Sequence, residues 1–260
     1  MIESLLAHLS DATIAAGLFA GFALAGVVVS ALSYRVFGHR LAEHHSDLVD
    51  SVEKSIFAFV IFVLALTLAD VRSNFGRADD NVIAEAFAIR QLAQDLDLQP
   101  SSRADRERAA LVAYAQAVVD VEWRTLAAGV PSLATAARTP LDELRALVRA
   151  DAAETGRTTQ IDRVWSGISN LENNRVLRLR EATESAPASF WAVTLVLMLI
   201  GTVMTGRARL DPRRIVVLAG YFGALGLVIA MILILDRPFR GDTSVSAEPI
   251  REVIAQIRKK

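Results

Sequence analysis

The chain has 260 residues, 28 Lys+Arg against 29 Asp+Glu, no Cys and 53% hydrophobic residues, with a mean hydropathy of +0.36. No disulfide frame, thiolate nucleophile, Cys-ligated zinc or Cys-held iron–sulfur cluster is open to it, and a net charge of −1 gives no basis for nucleic acid as a partner. The charges are unevenly placed: four stretches, 12–34, 55–69, 185–206 and 215–235, contain none. That segregation excludes a uniformly mixed soluble enzyme and a disordered chain. It describes four apolar spans with a polar segment between the second and third.

The first run is too long for the apolar core of a signal peptide, about 7–15 residues, and no Lys or Arg precedes it. It reads as a retained span. About 20 helical residues cross roughly 30 Å of hydrocarbon at ~1.5 Å each, and the first, third and fourth runs meet that length. The second, 55–69, reaches only ~22 Å and must borrow at its ends. Lys54 can snorkel outward, whereas Asp70 and Arg72 need an interface or a wet vestibule. Either a short span with ordinary flanking charges or a helix bordering an aqueous cavity fits this pattern. Gly17, Gly21 and Ala25 share one face of the first run; Gly220 with Ala224, Gly223 with Leu227, and Gly226 with Ala230 crowd the fourth. Such small residues let backbones approach closely in lipid, within one chain or between subunits. Tyr34, Phe190, Trp191 and Phe239 fall near span ends, where rings favour the headgroup level.

Between the second and third spans, residues 70–184 hold 15 Arg, no Lys and 18 Asp+Glu. Val82, Ile83, Phe87, Leu92 and Leu96 predict a helix over about 80–98, capped by Asp79 or Asp80 and ended by Pro100. Ser102 and Asp105 suggest a capping box opening a second helix through Leu111, Tyr114, Val118, Val121 and Leu126, stopped by Gly129 and Pro131. Thr139 caps a third with Pro140 at its first position. A fourth covers 159–182 and bends at Pro187 toward the third span. The class is all-α: an integral membrane protein with two spans, an inserted helical bundle and two more spans. The expected divisions are 1–70, 71–184, 185–236 and a C-terminal tail, 237–260.

Arg175 and Arg178 share one face of that fourth helix. They read either as an anion or headgroup site just outside the membrane, or as surface ion pairs, Glu172 with Arg175 and Glu181 with Arg178. Glu122 and Trp123 are adjacent and so expected on different faces, with Trp123 in the core. Asp236 and Arg237 end the fourth run, Pro238 stops its helix, Phe239 anchors at the interface and Gly241 permits a turn. The charges of that motif pair locally, or with the polar domain or a neighbouring subunit. Basic residues in the short loops, Arg35, Arg40 and Lys54, then Arg207, Arg209, Arg213 and Arg214, put both loops in the cytoplasm, and the N-terminus, helical domain and tail opposite. Arg72, Arg77, Arg175, Arg178, Arg180, Arg237 and Arg240 on that other side are a counter-signal. His39, Glu43, His44, His45 and Asp47 cluster in sequence, but in a short loop that needs no metal; no metal site, cofactor or catalytic residue is expected.

The residues Glu85–Ala86, Tyr114, Glu122–Trp123, Arg175, Arg178, Pro187 before Phe190–Trp191, and Asp236-Arg237-Pro238-Phe239-Arg240-Gly241 together resemble the bestrophin-like domain family over about 45–255. That family comprises bacterial and plant membrane proteins with two spans, a helical domain and two further spans. Its name comes from a distant similarity to bestrophins, pentameric anion channels whose second span lines a pore with a hydrophobic neck. The resemblance implies a bacterial inner (cell) membrane, a homo-oligomer with five subunits as the implied number, and small anions as the permeant species. The acidic calcium-clasp residues of bestrophins find no matching cluster here. If the second span lines a pore, Phe59, Phe62 and Leu66 form its inward strip, with Lys54 and Arg72 at opposite ends and Asp70 weighing against simple anion selectivity. The competing reading is a non-conducting, membrane-anchored scaffold or sensor whose helical domain binds a partner.

Overall fold

The computed structural model describes residues 10–42, 47–98, 102–129, 135–156, 158–206 and 211–259. Among them no strand occurs. The helices are α1 (Asp11–Ala42), α2 (Asp47–Leu98), α3 (Ala104–Ala117), α4 (Trp123–Ala127), α5 (Thr135–Thr155), α6 (Thr159–Glu181), α7 (Ala188–Thr205), α8 (Pro212–Leu235) and α9 (Glu248–Arg258). A π-helical turn, Val118–Glu122, joins α3 to α4. Four helices, α1, α2, α7 and α8, are long and apolar enough to cross a membrane. The chain divides into two compact units, Met1–Ser73 with Ser185–Asp236, and Asn74–Glu184 with Arg237–Lys260. The His39, Glu43, His44, His45 and Asp47 side chains, and Arg40, Arg207 and Arg209, lie outside what is described.

In the first unit, α1, α7 and α8 pack through small residues. A Cβ on Gly226 would come within 2.6 Å of the Leu18 carbonyl oxygen, and one on Gly223 within 2.5 Å of the Phe19 ring. Gly26 is equally tight, with Phe222 filling the space above it. Gly17, Gly21 and Gly220 meet open space, so only part of the expected small-residue faces is used within the chain. Hydroxyls complete the α1–α7 contact: Ser33 Oγ donates to the Val203 carbonyl at 2.6 Å, and Ser30 bonds Thr205. Phe57 of α2 meets Tyr221 and Phe222 edge-on at 5.1 and 6.0 Å between ring centroids. Asp211 caps α8, accepting the Arg214 amide at 2.7 Å, with Pro212 at the first helical position.

In the second unit the helix predicted from Asp79 or Asp80 does not begin there, because α2 runs unbroken from Asp47. Nothing in 70–80 forbids helix: the stretch has no Pro, and its charges can sit on a solvated face. The stripe it buries is Ala78, Val82, Ala86, Ile89, Leu92 and Leu96, while Ile83 and Phe87 are exposed. Arg103, without a side-chain cap bond, precedes α3 where a Ser102 capping box was expected. Pro140 lies inside α5 rather than at its start. The α6 helix ends at Glu181 and α7 starts anew after Pro187, so a break stands where a bend was expected. The segment expected as a tail carries α9, whose Ile250, Val253, Ile254 and Ile257 join the same core as α2, α3 and α6.

These contacts predict that Gly226→Ala lowers the melting temperature of the detergent-solubilised chain, by about 1–3 kcal/mol of stability, because the opposing atom is backbone and cannot rotate away. Gly220→Ala, which adds helix propensity in open space, does not. Differential scanning fluorimetry of the two variants checks this.

Candidate functional site

Four charged side chains meet inside the second unit. Glu85 comes from α2, Glu122 from the end of the π turn, and Arg175 and Arg178 from α6; all are buried. Arg178 is the bridge: its Nε donates to Glu85 Oε2 at 2.6 Å and its Nη2 to Glu122 Oε2 at 2.7 Å. Arg175 donates to the other oxygen of Glu122, from Nε at 3.0 Å and more closely from Nη2. Tyr114 of α3 donates its hydroxyl to Glu85 Oε1 at 2.8 Å. Two cations and two carboxylates therefore pair with one another, which is the condition for keeping charges out of water.

The π turn explains why Glu122 and Trp123 both reach Arg178, against the expectation that neighbours on a helix diverge. A π turn advances roughly 80° per residue instead of about 100°. Counted from buried Val118, Glu122 and Trp123 then fall on either side of one line, whereas α-helical winding would turn Trp123 away. The Arg178 guanidinium carbon lies 5.3 Å from the Trp123 ring centroid, within cation–π range. Phe239 meets the same indole edge-on at 5.6 Å. Arg178 Nη1 has no hydrogen-bond partner among the described residues. Burial opposes the Arg178 charge, but the charge and hydrogen bonds of Glu85, and then Glu122, more than offset it and hold the pKa above its usual value.

The sequence-based readings of this helix are corrected accordingly. Arg175 and Arg178 are neither a headgroup site nor surface pairs with Glu172 and Glu181. Arg145 takes Glu172 at 2.5 Å, and Arg77 lies 3.7 Å from Glu181. Phe239, expected at an interface, is core. Asp236 accepts the Ala186 amide at 3.0 Å, and Arg237 forms no ion pair among the described residues. Pro238 accepts the Val245 amide at 2.7 Å, closing a loop that turns at Gly241 with φ +79°. Arg240 fills the space beside Gly129, φ +75°, where a Cβ would overlap its Nη2. No group of three or more metal-binding side chains occurs among the described residues.

On α2 the candidate pore residues behave differently. Phe59, Phe62 and Leu66 are each more than half exposed, while Val60 and Leu64 on the other side are buried. At about 100° per residue, Phe62, Leu66 and Asp70 fall within roughly 60° of Phe59. Lys54 and Arg72 lie about 140° from Phe59 by the same winding. The helix thus joins Asp70 to the apolar strip and leaves both cations off it. Asp70, Lys54 and Arg72 are all exposed.

Burial raises the Tyr114 hydroxyl well above the ordinary tyrosine range, and the Glu85 charge adds to this. The folded chain therefore holds a proton that the unfolded chain releases near pH 10. The stabilising contribution is complete below about pH 10 and is lost as pH rises toward the folded value. Melting curves should accordingly fall more steeply above about pH 10 in the wild type than in Tyr114→Phe; parallel curves would contradict this.

A sequence profile of the Bestrophin-like domain matches residues 20–250. Several solved structures share the fold. A point variant of a bacterial bestrophin homologue from Klebsiella pneumoniae aligns with TM-score 0.70 at 12% identity, over 91% of this chain and 96% of that one. A second variant from Klebsiella pneumoniae aligns with TM-score 0.69 at 14% identity, over 93% and 98%. A point variant described as a membrane protein aligns with TM-score 0.70 at 13% identity, over 93% and 97%. No curated protein matches the chain. With four helices long and apolar enough to cross a membrane and a matched domain over most of its length, this all-α membrane protein belongs to the Bestrophin-like domain family.

Proposed function

We propose that the chain is one subunit of an oligomeric channel for small ions, with α2 lining the pore. The observation that carries this reading is the end of the second apolar run. Its 15 uncharged residues cover ~22 Å of a hydrocarbon layer about 30 Å thick. The next residue is Asp70, a carboxylate on a one-carbon stem that cannot snorkel as lysine does. It has no hydrogen-bond or ion-pair partner among the described residues and continues the exposed strip of Phe59, Phe62 and Leu66. Lipid satisfies the three apolar side chains but not an acid drawn toward the hydrocarbon by so short a run. Water along that strip satisfies the acid, and several copies of α2 around an axis would supply the water path.

Membership of the Bestrophin-like domain family and a fold shared with bestrophin homologues support the same reading. The resemblance implied anions, and spacing along α2 offered Lys54 and Arg72 as cationic ends. Both lie about 140° from Phe59, off the exposed strip, so the pore proposed conducts small ions without anion selectivity. The strip of rings would act as a dewetting constriction. Ser55, at the other end of the 55–69 run, also falls on it, donating its own hydroxyl to the Ser51 carbonyl at 2.8 Å.

Purified protein in planar bilayers should carry current, and its particle mass in native nanodiscs should be several times that of one subunit. Phe62→Ser, which wets the constriction, should raise the conductance several-fold. A monomer silent under every salt gradient would contradict the channel and leave the membrane-anchored scaffold.

A further inference from the structure

We infer that Asp70 sets the charge selectivity of this pore and that the permeant species are small cations. The inference rests on the channel reading and deepens it. Three observations converge on one side chain. Asp70 lies on the same helical strip as Phe59, Phe62 and Leu66, about 20° from Phe59. It is exposed, and no cation among the described residues pairs with it. Finally, it stands at the point where the uncharged run ends, so its charge sits close to the low-dielectric layer, where a fixed charge acts over longer range than in bulk water.

The competing charges along α2 do not cancel it. Arg72 is two residues on, about 160° around the helix from Asp70. Glu53 and Lys54 lie at the other end of the run. Arg77, five turns beyond Phe59 and back on the strip's side, donates to Asn74 Oδ1 at 2.8 Å and has the Glu181 carboxylate 3.7 Å away, so an acid faces its half-exposed guanidinium. Ser73, exposed one turn after Asp70, adds a neutral hydroxyl to the same side. In a closed oligomer each copy contributes one such carboxylate at one level. A ring of like carboxylates at a pore mouth concentrates cations and repels anions before they meet the apolar constriction.

Reversal potentials across a KCl gradient test this with the full-length protein in planar bilayers. The wild type should prefer K⁺ over Cl⁻, and Asp70→Glu should keep that preference. Asp70→Asn should lower the K⁺/Cl⁻ permeability ratio several-fold, and Asp70→Lys should invert it, with melting temperatures near wild type in all three. A wild-type current without cation preference, or a preference unmoved by Asp70→Asn, overturns the role of Asp70 while leaving the channel standing. Absence of current from well-folded wild type overturns the channel, and this inference with it.

Discussion

The guanidinium of Arg178 is held between Glu85 and Glu122, and the arrangement of the second unit depends on that pairing. One side chain from α6 meets one from α2 and one from the turn between α3 and α4, so three segments distant in sequence are tied at one point. Burying these charges yields little net stability by itself, because desolvation roughly offsets the attraction. What the pairing enforces is arrangement. Any shift of α6 along α2 strands a charge in an apolar interior, at about 3–5 kcal/mol, whereas the surrounding Val, Leu and Ile contacts tolerate small slips. Trp123 and Phe239 extend the same point into the segment after α8, since the indole meets Arg178 on one hand and Phe239 on the other.

Much of the fold is legible in the residues because the constraint is crude. Uncharged runs of 20 or more residues have few alternatives to spanning helices, and the breaks at Gly129 and Pro187 follow from glycine's freedom and a missing amide donor. The details that spacing misreads are those set by partners distant in the chain. Arg175 and Arg178 lie three apart on a helix beside acids, which is also the pattern of surface pairs; nothing local reveals that both are buried. The π turn has no sequence signature, yet it decides that Glu122 and Trp123 can share one neighbour. Phe239 looks interfacial because it follows a span, and only the fold shows Trp123 waiting for it. The α9 helix escapes notice because 237–260 is polar in overall composition, although its four isoleucine and valine residues recur on one face.

The membrane-crossing unit obeys a different logic. There, polar groups are the expensive ones, and several find partners inside the chain: Ser33 on the Val203 carbonyl, Thr202 on the Met198 carbonyl at 2.6 Å, Arg214 on the Thr205 carbonyl at 2.7 Å. Asp70 is an exposed acid without a described partner at the end of an uncharged run. Asp70 is placed by the same winding that exposes Phe59, Phe62 and Leu66, so the apolar strip and the charge that ends it are one feature. Glycine packing ties α1 to α8, whereas Phe59, Phe62 and Leu66 of α2 stay exposed.

The organising role of Arg178 is tested most directly by a double-mutant cycle with Glu85→Gln and Arg178→Met in the full-length protein. Hydrogen exchange over 74–184 would read the stability of the second unit in each variant. A coupling energy above about 1 kcal/mol is expected if the pair is the tie described here. Effects that add within about 0.5 kcal/mol would mean that the two side chains act independently and that the unit is held by its apolar core alone.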